Sequence, residues 1–544
     1  MSRTVFWSLF ALALAVGLAL RLTRLDVRPM HHDEANQAVR FGLLLETGEY
    51  RYDPNDHHGP SIYYLTLPSA WIRGQKTLAS LDERTLRIVP AIFGAGLILA
   101  LSLLAGGLGR TAAATSALLA AISPALTYYS RFYIQESLLA FFALGFLVAL
   151  GRYALNPRIG SAVWAGAFAG LACSTKETWV IVLVAASAAC VLARVWAGRG
   201  KSAECNVQSA ECAAPADPLP HVAPCTLHFA PSPAVRAVHV IAGLLAALSI
   251  ALIFYSSFLK NPSGLLESIR AFRIYAGCGM DAGSHVEAWG YYLRILSWSS
   301  SGGLVWTEAL VLVLAAVGMV QAFRTRTRRF WPLYVCVYGL VTACIFSAVR
   351  YKTPWNLLPF YIGFVLLAGY GAAALVDLVR PRAARGLLVL ALLAAACHLG
   401  IENWRANFRY PADPRNPYVY AQTTPDFLRL VRRVTDLAAL HPDRANMLVK
   451  VIAGPYEQWP LPWYLRRMTR VGYWIRAGDA GALEGVPVVV ASQENAGAVD
   501  GAVGERYISE FYGLRPEVIL SVYIERGLWE RFLKSRQPAV RDGR

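Results

Sequence analysis

Long apolar runs joined by short, arginine-rich connections dominate this sequence, and that pattern limits the chain more than any motif does. A hydrocarbon core about 30 Å thick needs roughly 20 apolar residues as a helix. Eleven such runs are read near residues 4–22, 86–108, 111–129, 133–155, 161–175, 178–197, 236–259, 302–322, 331–349, 355–379 and 386–401. Each must be helical, because lipid offers no partner to a backbone N–H or C=O. Composition agrees: 16% of residues are charged, against about 25% in soluble globular domains. Mean hydropathy is +0.40. The expected fold class is mainly α, a multi-pass membrane protein of about eleven transmembrane helices. Residues 61–72 are apolar but too short to span, and are expected as a helix lying on the membrane surface.

The formal net charge is +17. In a soluble chain that would point to nucleic acid, but no reading motif is present and no nucleic-acid partner is expected. The arginines instead cluster between spans, as at Arg324, Arg326, Arg328 and Arg329, and at Arg380, Arg382 and Arg385. The positive-inside rule places these connections in the cytoplasm, with contact to anionic membrane lipids. Arg21, Arg24 and Arg28, just after the first run, violate the rule locally. The orientation puts residues 23–85, 130–132, 260–301, the loop Arg350–Trp355 and the tail outside. The expected location is the cell (inner) membrane.

The domain reading is a transmembrane portion over 1–401 and an extracytoplasmic α/β domain over 402–544. Strand-like runs at Asn446–Ala453, Val486–Ala491 and Val518–Tyr523 alternate with helical stretches in the tail. Within 198–235 an Ala-, Pro- and Ser-rich stretch reads as a flexible cytoplasmic insert. Its Cys205, Cys212 and Cys225, with His221 and His228, match no common zinc spacing.

Four polar constellations fall on the outer side. The first is His31-His32-Asp33-Glu34, followed by Asp53, Asp56, His57 and His58. It is either a solvated loop or a site, and a carboxylate close to lipid is disposed to general-base work because desolvation raises its pKa. Histidine and carboxylate also suit zinc or manganese, but adjacent residues cannot all converge on one metal from one helix, so a divalent ion is the less favoured alternative. The second is Ser130-Arg131-Phe132-Tyr133-Ile134-Gln135-Glu136, where ionisable residues at the edge of a span are functional candidates or interfacial anchors. The third is Lys176-Glu177, which also reads as a structural ion pair. The fourth is Arg350-Tyr351-Lys352-Thr353-Pro354-Trp355-Asn356, two cations beside two aromatics. Such a group suits a lipid phosphate and a sugar face, or simple anchoring at the interface. In the tail, Gly454–Tyr464 gathers three prolines and four aromatics, including Trp459 and Trp463.

At these residues the chain resembles the GT-C superfamily of polytopic glycosyltransferases, which includes protein O-mannosyltransferases and lipid A aminoarabinose transferases. His32-Asp33-Glu34, Ser174-Thr175-Lys176-Glu177, Tyr351–Asn356 and Trp459–Tyr464 also look like the flippase-activity-associated membrane proteins. The resemblance implies transfer of a sugar from a polyprenyl-phosphate donor to an extracytoplasmic lipid, glycan or protein acceptor. It makes Asp33 the catalytic base, with Glu34 adjacent and Glu136 as the second acidic position. Arg131, Lys176, Arg350 and Lys352 are the expected ligands of the donor phosphate. His32, His58, Tyr351, Trp355, Trp459 and Trp463 are the expected sugar- and acceptor-binding residues. No cofactor is expected, and one base without an evident nucleophile predicts inversion. A lipid flippase or transporter, and a non-catalytic subunit of an export complex, are the alternatives.

Overall fold

The computed structural model describes residues 1–55, 58–211, 232–280, 286–324 and 330–536. Among these, eight helices are long and apolar enough to cross a membrane: Arg3–Leu22, Glu83–Leu108, Glu136–Leu155, Trp179–Ala197, Pro233–Tyr255, Phe330–Ala348, Pro354–Leu378 and Arg382–Arg409. A ninth crossing is formed if Arg110–Ile122 and Pro124–Ser130, bent by 60°, count as one. The other two expected spans are shorter apolar helices, Ile159–Cys173 and Ala309–Arg324. At 1.5 Å per residue they reach only about 22–24 Å, so length and composition do not establish eleven crossings. The run expected from 302 starts late because a hairpin precedes it, β1 (Ser299–Ser301) and β2 (Leu304–Trp306). Its two-residue turn needs positive φ twice, and Gly302 and Gly303 supply it at 51° and 78°.

The chain divides into two compact units. The first comprises Met1–Thr23, Glu49–Leu65 and Arg87–Arg409; the second comprises Arg24–Gly48, Thr66–Leu86 and Tyr410–Arg544. The second unit thus takes in stretches of the first outer loop as well as the tail. Of the insert read over 198–235, the helix Trp179–Glu211 carries the first part. Cys212, His221, Cys225 and His228 lie outside the described residues, as do Asp56, His57, Arg326, Arg328 and Arg329.

In the first unit the bend at Ser123-Pro124 has a definite chemistry. Pro124 has no N–H to give the carbonyl of Ala120, and its ring obstructs the preceding turn. Ser123 restarts the helix by accepting from Leu126 N at 3.2 Å. The fully buried Glu308 accepts from Ala125 N and Ser123 Oγ, each at 2.8 Å, and from the Tyr361 hydroxyl. The carbonyls left without helix partners are taken by Arg21, which donates Nη2 to Ala120 O at 3.0 Å and Nη1 to Ala121 O at 3.2 Å. Arg131 in turn donates Nη1 to Leu20 O at 2.8 Å and to Thr23 O at 2.7 Å, closing the end of the first helix. Of the three arginines that break the charge rule, Arg21 is therefore buried and satisfied by backbone, whereas Arg24 is exposed.

The second unit is a sheet of five strands covered by helices on both faces. Its strands are β3 (Val449–Ile452), β4 (Val471–Trp474), β5 (Val488–Ser492), β6 (Tyr507–Arg515) and β7 (Val518–Glu525), in the order β4-β3-β5-β7-β6. β4, β3 and β5 run parallel, and β7 and β6 add antiparallel. Helix Phe427–Leu440 buries Leu430, Val434 and Leu437, a spacing of four and three residues that makes one apolar face. With Leu528 and Phe532 it covers Val449, Val451, Val490 and Val522. Val499 and Val503 cover the alternate residues Ile452, Val489 and Ala491 on the other face.

Candidate functional site

In the first unit, three constellations distant in sequence gather around one turn. Ser174 and Thr175 end a helix, their hydroxyls donating to Gly170 O at 2.9 Å and Leu171 O at 2.6 Å. The segment before residue 61 lies flat on this turn. Ser61 N donates to Ser174 O at 2.9 Å, and Ser61 Oγ meets Thr175 Oγ1 at 2.8 Å. Only glycine fits at residue 59, because a Cβ there would stand 2.3 Å from Ser174 O. The adjacent charges then point to different partners. Glu177 receives His58 Nδ1 at 2.7 Å and the Tyr52 hydroxyl at 3.4 Å. Lys176 ion-pairs with Glu136, the first residue of helix Glu136–Leu155, and donates to Asn356 Oδ1 at 3.2 Å.

Asn356 brings the fourth constellation to this cluster. Lys352 is buried and donates Nζ to Val349 O at 2.6 Å and Glu287 O at 2.9 Å. Burial pulls its pKa down, against the favourable charge of Glu287. Among the described residues neither Lys352 nor the exposed Arg350 forms an ion pair with a carboxylate. Tyr351 is exposed, whereas Trp355 is buried edge-on against Phe132 at 5.9 Å and Tyr129 at 6.4 Å. Trp355 therefore has little ring face to offer a sugar. Arg131, expected at a phosphate, is instead committed to the end of the first helix, with Phe408 4.5 Å beneath its guanidinium.

In the second unit, the adjacent acids Asp33 and Glu34 are separated by a helix start. His31 is the N-cap of helix His32–Thr47, accepting from Asp33 N on Nδ1 at 3.1 Å. Glu34, at the third helical position, reaches back to accept from His31 N at 3.1 Å and lies 3.7 Å from Arg28. It is fully buried and closes a capping box, so it is structural. Asp33 keeps 42% of its side chain exposed. His31 Nε2 bonds Tyr420 O at 3.0 Å, which requires the proton on Nε2 and leaves Nδ1 as the acceptor. Burial holds the His31 pKa down to about 4, so the ring is neutral and its approach to Asp33 is not an ion pair.

The preceding residues of this loop are held by the tail. Gln422 Nε2 donates to Pro29 O at 2.8 Å, Thr423 Oγ1 to Met30 O at 2.7 Å, and Met30 N to the Tyr464 hydroxyl at 2.9 Å. Beside Asp33, the His32 ring stacks on Tyr456 at 5.8 Å and meets Trp459 edge-on at 6.0 Å. Tyr456 is 74% exposed and Trp459 half-buried, giving an aromatic surface next to the carboxylate. Trp463 is different: it is fully buried, its Nε1 donates to Glu83 at 2.9 Å, and Arg466 lies 3.7 Å over its ring. It packs the unit and cannot stack on a ligand.

The sequence reading did not single out Glu308, Tyr292, Gln422 or Thr423, and it named Tyr456 and Tyr464 only as members of the aromatic tail segment. Only the capping box left a local signal, the His31-x-x-Glu34 spacing. Among the described residues no three His, Cys, Asp or Glu side chains are gathered as a metal ion would require.

Residues 66–204 match the sequence profile of a family described as dolichyl-phosphate-mannose-protein mannosyltransferase. The fold is similar to that of ArnT from Cupriavidus metallidurans bound to undecaprenyl phosphate, with a TM-score of 0.58 and 15% identity over 96% of this chain and 98% of that one. It is also similar to the apo oligosaccharyltransferase of Archaeoglobus fulgidus, with a TM-score of 0.54 and 13% identity over 97% of this chain and 77% of that one. No curated protein matches the sequence. The protein is thus a multi-pass membrane protein whose fold is like that of ArnT and the archaeal oligosaccharyltransferase, with a small α/β unit. These likenesses concern the fold and do not bear on the flippase-associated subfamily.

Proposed function

We propose that this protein is a glycosyltransferase that moves a sugar from a polyprenyl-phosphate carrier to a hydroxyl-bearing acceptor on the extracytoplasmic face of the inner membrane. The observation that carries the reading is the division of the acidic pair: Glu34 is locked in a cap while Asp33 stands open on the same rigid helix start. In the reaction, the acceptor oxygen attacks the anomeric carbon and gives its proton to Asp33. The bond from that carbon to the phosphate oxygen breaks, and the carrier phosphate leaves with the electron pair. A carboxylate accepting the proton during attack lowers the barrier by about 10²–10⁴-fold in rate.

The leaving phosphate needs charge stabilisation more than protonation. Lys352 and Arg350, cations without a carboxylate partner among the described residues, suit that role. His32, Tyr456 and Trp459 provide faces on which the acceptor or the sugar can stack. Single displacement inverts the anomeric centre, and this chemistry calls for no divalent metal. The undecaprenyl phosphate bound by ArnT supports a lipid-phosphate substrate.

The test is sugar transfer in membranes containing the protein, supplied with labelled polyprenyl-phosphate sugars and run with and without EDTA. Asp33→Asn is expected to lose about 10²-fold or more in rate, with no effect of EDTA on the wild type. Transfer by Asp33→Asn at the wild-type rate would remove Asp33 from the mechanism.

A further inference from the structure

Lys176 is the cation that the sequence offers to a donor phosphate, and its partner changes what it can recognise. The ammonium is ion-paired with Glu136, and both residues are buried. The pair is net neutral. For a phosphate brought to it, repulsion by the carboxylate offsets much of the attraction by the ammonium, because the two opposite charges lie side by side.

The unfilled hydrogen-bonding capacity of the cluster is of another kind. Glu136 Oε2 is buried without a hydrogen-bond partner. Lys176 has three N–H donors, of which Glu136 and Asn356 take two. The Tyr292 hydroxyl is buried beside the Asn356 amide, close enough to interact with it but without a hydrogen bond of full geometry. An acceptor, a donor and a phenol left open in one buried cluster are the complement of hydroxyl groups, each of which both donates and accepts. Buried polar groups in folded proteins are almost always satisfied, so such a set marks a place for a ligand.

We propose that Glu136, Lys176, Asn356 and Tyr292 form a subsite for the hydroxyl groups of the donor's sugar, and that the donor phosphate is bound elsewhere. This rests on the transferase reading above and assigns the second acidic position to sugar recognition. Specificity follows from the same groups: a sugar lacking the matching hydroxyl leaves a buried carboxylate oxygen and an ammonium proton unpaired.

The experiment measures equilibrium binding to the full-length protein in nanodiscs, with two kinds of probe. One is undecaprenyl phosphate; the other is a panel of polyprenyl-phosphate mannose, glucose and arabinose. The double variant Glu136→Gln with Lys176→Met removes both charges together and so leaves no buried charge unpaired. It is expected to bind undecaprenyl phosphate within about 3-fold of wild type, and to lose at least about ten-fold of the preference for the best sugar-loaded probe. Tyr292→Phe removes one hydroxyl without changing shape, and is expected to lower that preference about 3-fold or more with bare-lipid binding unchanged. A ten-fold loss of undecaprenyl phosphate binding in the double variant would assign the pair to the phosphate and overturn the proposal. So would a wild type that binds sugar-loaded and bare lipid equally. A wild type that binds neither probe refutes the transferase reading itself.

Discussion

Replacing His31 with asparagine keeps an acceptor at the start of helix His32–Thr47 while removing the group that titrates. His31 is 3% exposed, and burial outweighs the charges around it: Asp33 and Glu34 favour the imidazolium, His32 and Arg28 oppose it. An imidazole in the opened chain titrates near 6.5, and the buried one near 4. Between those values the open segment takes up a proton that the closed one refuses. Closure therefore weakens as pH falls through 6.5, and the loss is complete below about 4. The full interval corresponds to about 3 kcal/mol, of which about 2.5 kcal/mol is expressed at pH 4.5. Hydrogen exchange on peptides spanning residues 28–36, corrected for the intrinsic rate, reads this directly. Wild type is expected to lose about 70-fold of its protection between pH 7.5 and 4.5, and His31→Asn, an equally good cap, to stay nearly flat. Equal losses in the two proteins would place the effect on neighbouring carboxylates. No loss in wild type would refute a neutral His31 held on Tyr420.

Trp463→Ala is expected to destabilise the protein by about 3–5 kcal/mol, seen as a lower melting temperature, whereas Trp459→Ala should change acceptor KM and leave melting nearly unchanged. Arg21→Met strands the carbonyls of Ala120 and Ala121 and should cost about 2–4 kcal/mol, read by thermal unfolding in detergent. Lys352→Met is expected to raise the donor KM by about ten-fold, with the acceptor KM unmoved, in steady-state kinetics.

What could be read in advance followed from short-range rules. Apolar runs gave the spanning helices within a few residues, and β-branched clusters gave β3, β5 and β7. β4 was missed because Val471-Gly472-Tyr473-Trp474 is four residues with a glycine inside, and β6 because the consecutive polar residues Ser509 and Glu510 interrupt its apolar run. The site residues were named, but not their division of labour. Asp33 and Glu34 are chemically alike in sequence, and one helical position decides which is buried. Glu308, with partners 53 to 185 residues away, leaves no local pattern at all. The neutralisation of Lys176 by Glu136 likewise depends on a contact across 40 residues.

The exchange between Arg21 and the proline bend also sets an order of assembly. An arginine at the centre of a span costs about 2.5–3.5 kcal/mol at insertion, and less near a helix end, where Arg21 lies. Apart from Gly17 O in its own helix, the acceptors of Arg21 lie 99 to 109 residues further along. At synthesis rates of about 5–20 residues per second, the nascent first helix spends roughly 5–20 s with that arginine only partly satisfied. During that interval its position in the bilayer is provisional, held by the insertion machinery or by a deformed lipid surface. The first helix thus becomes settled only after the third apolar segment has arrived.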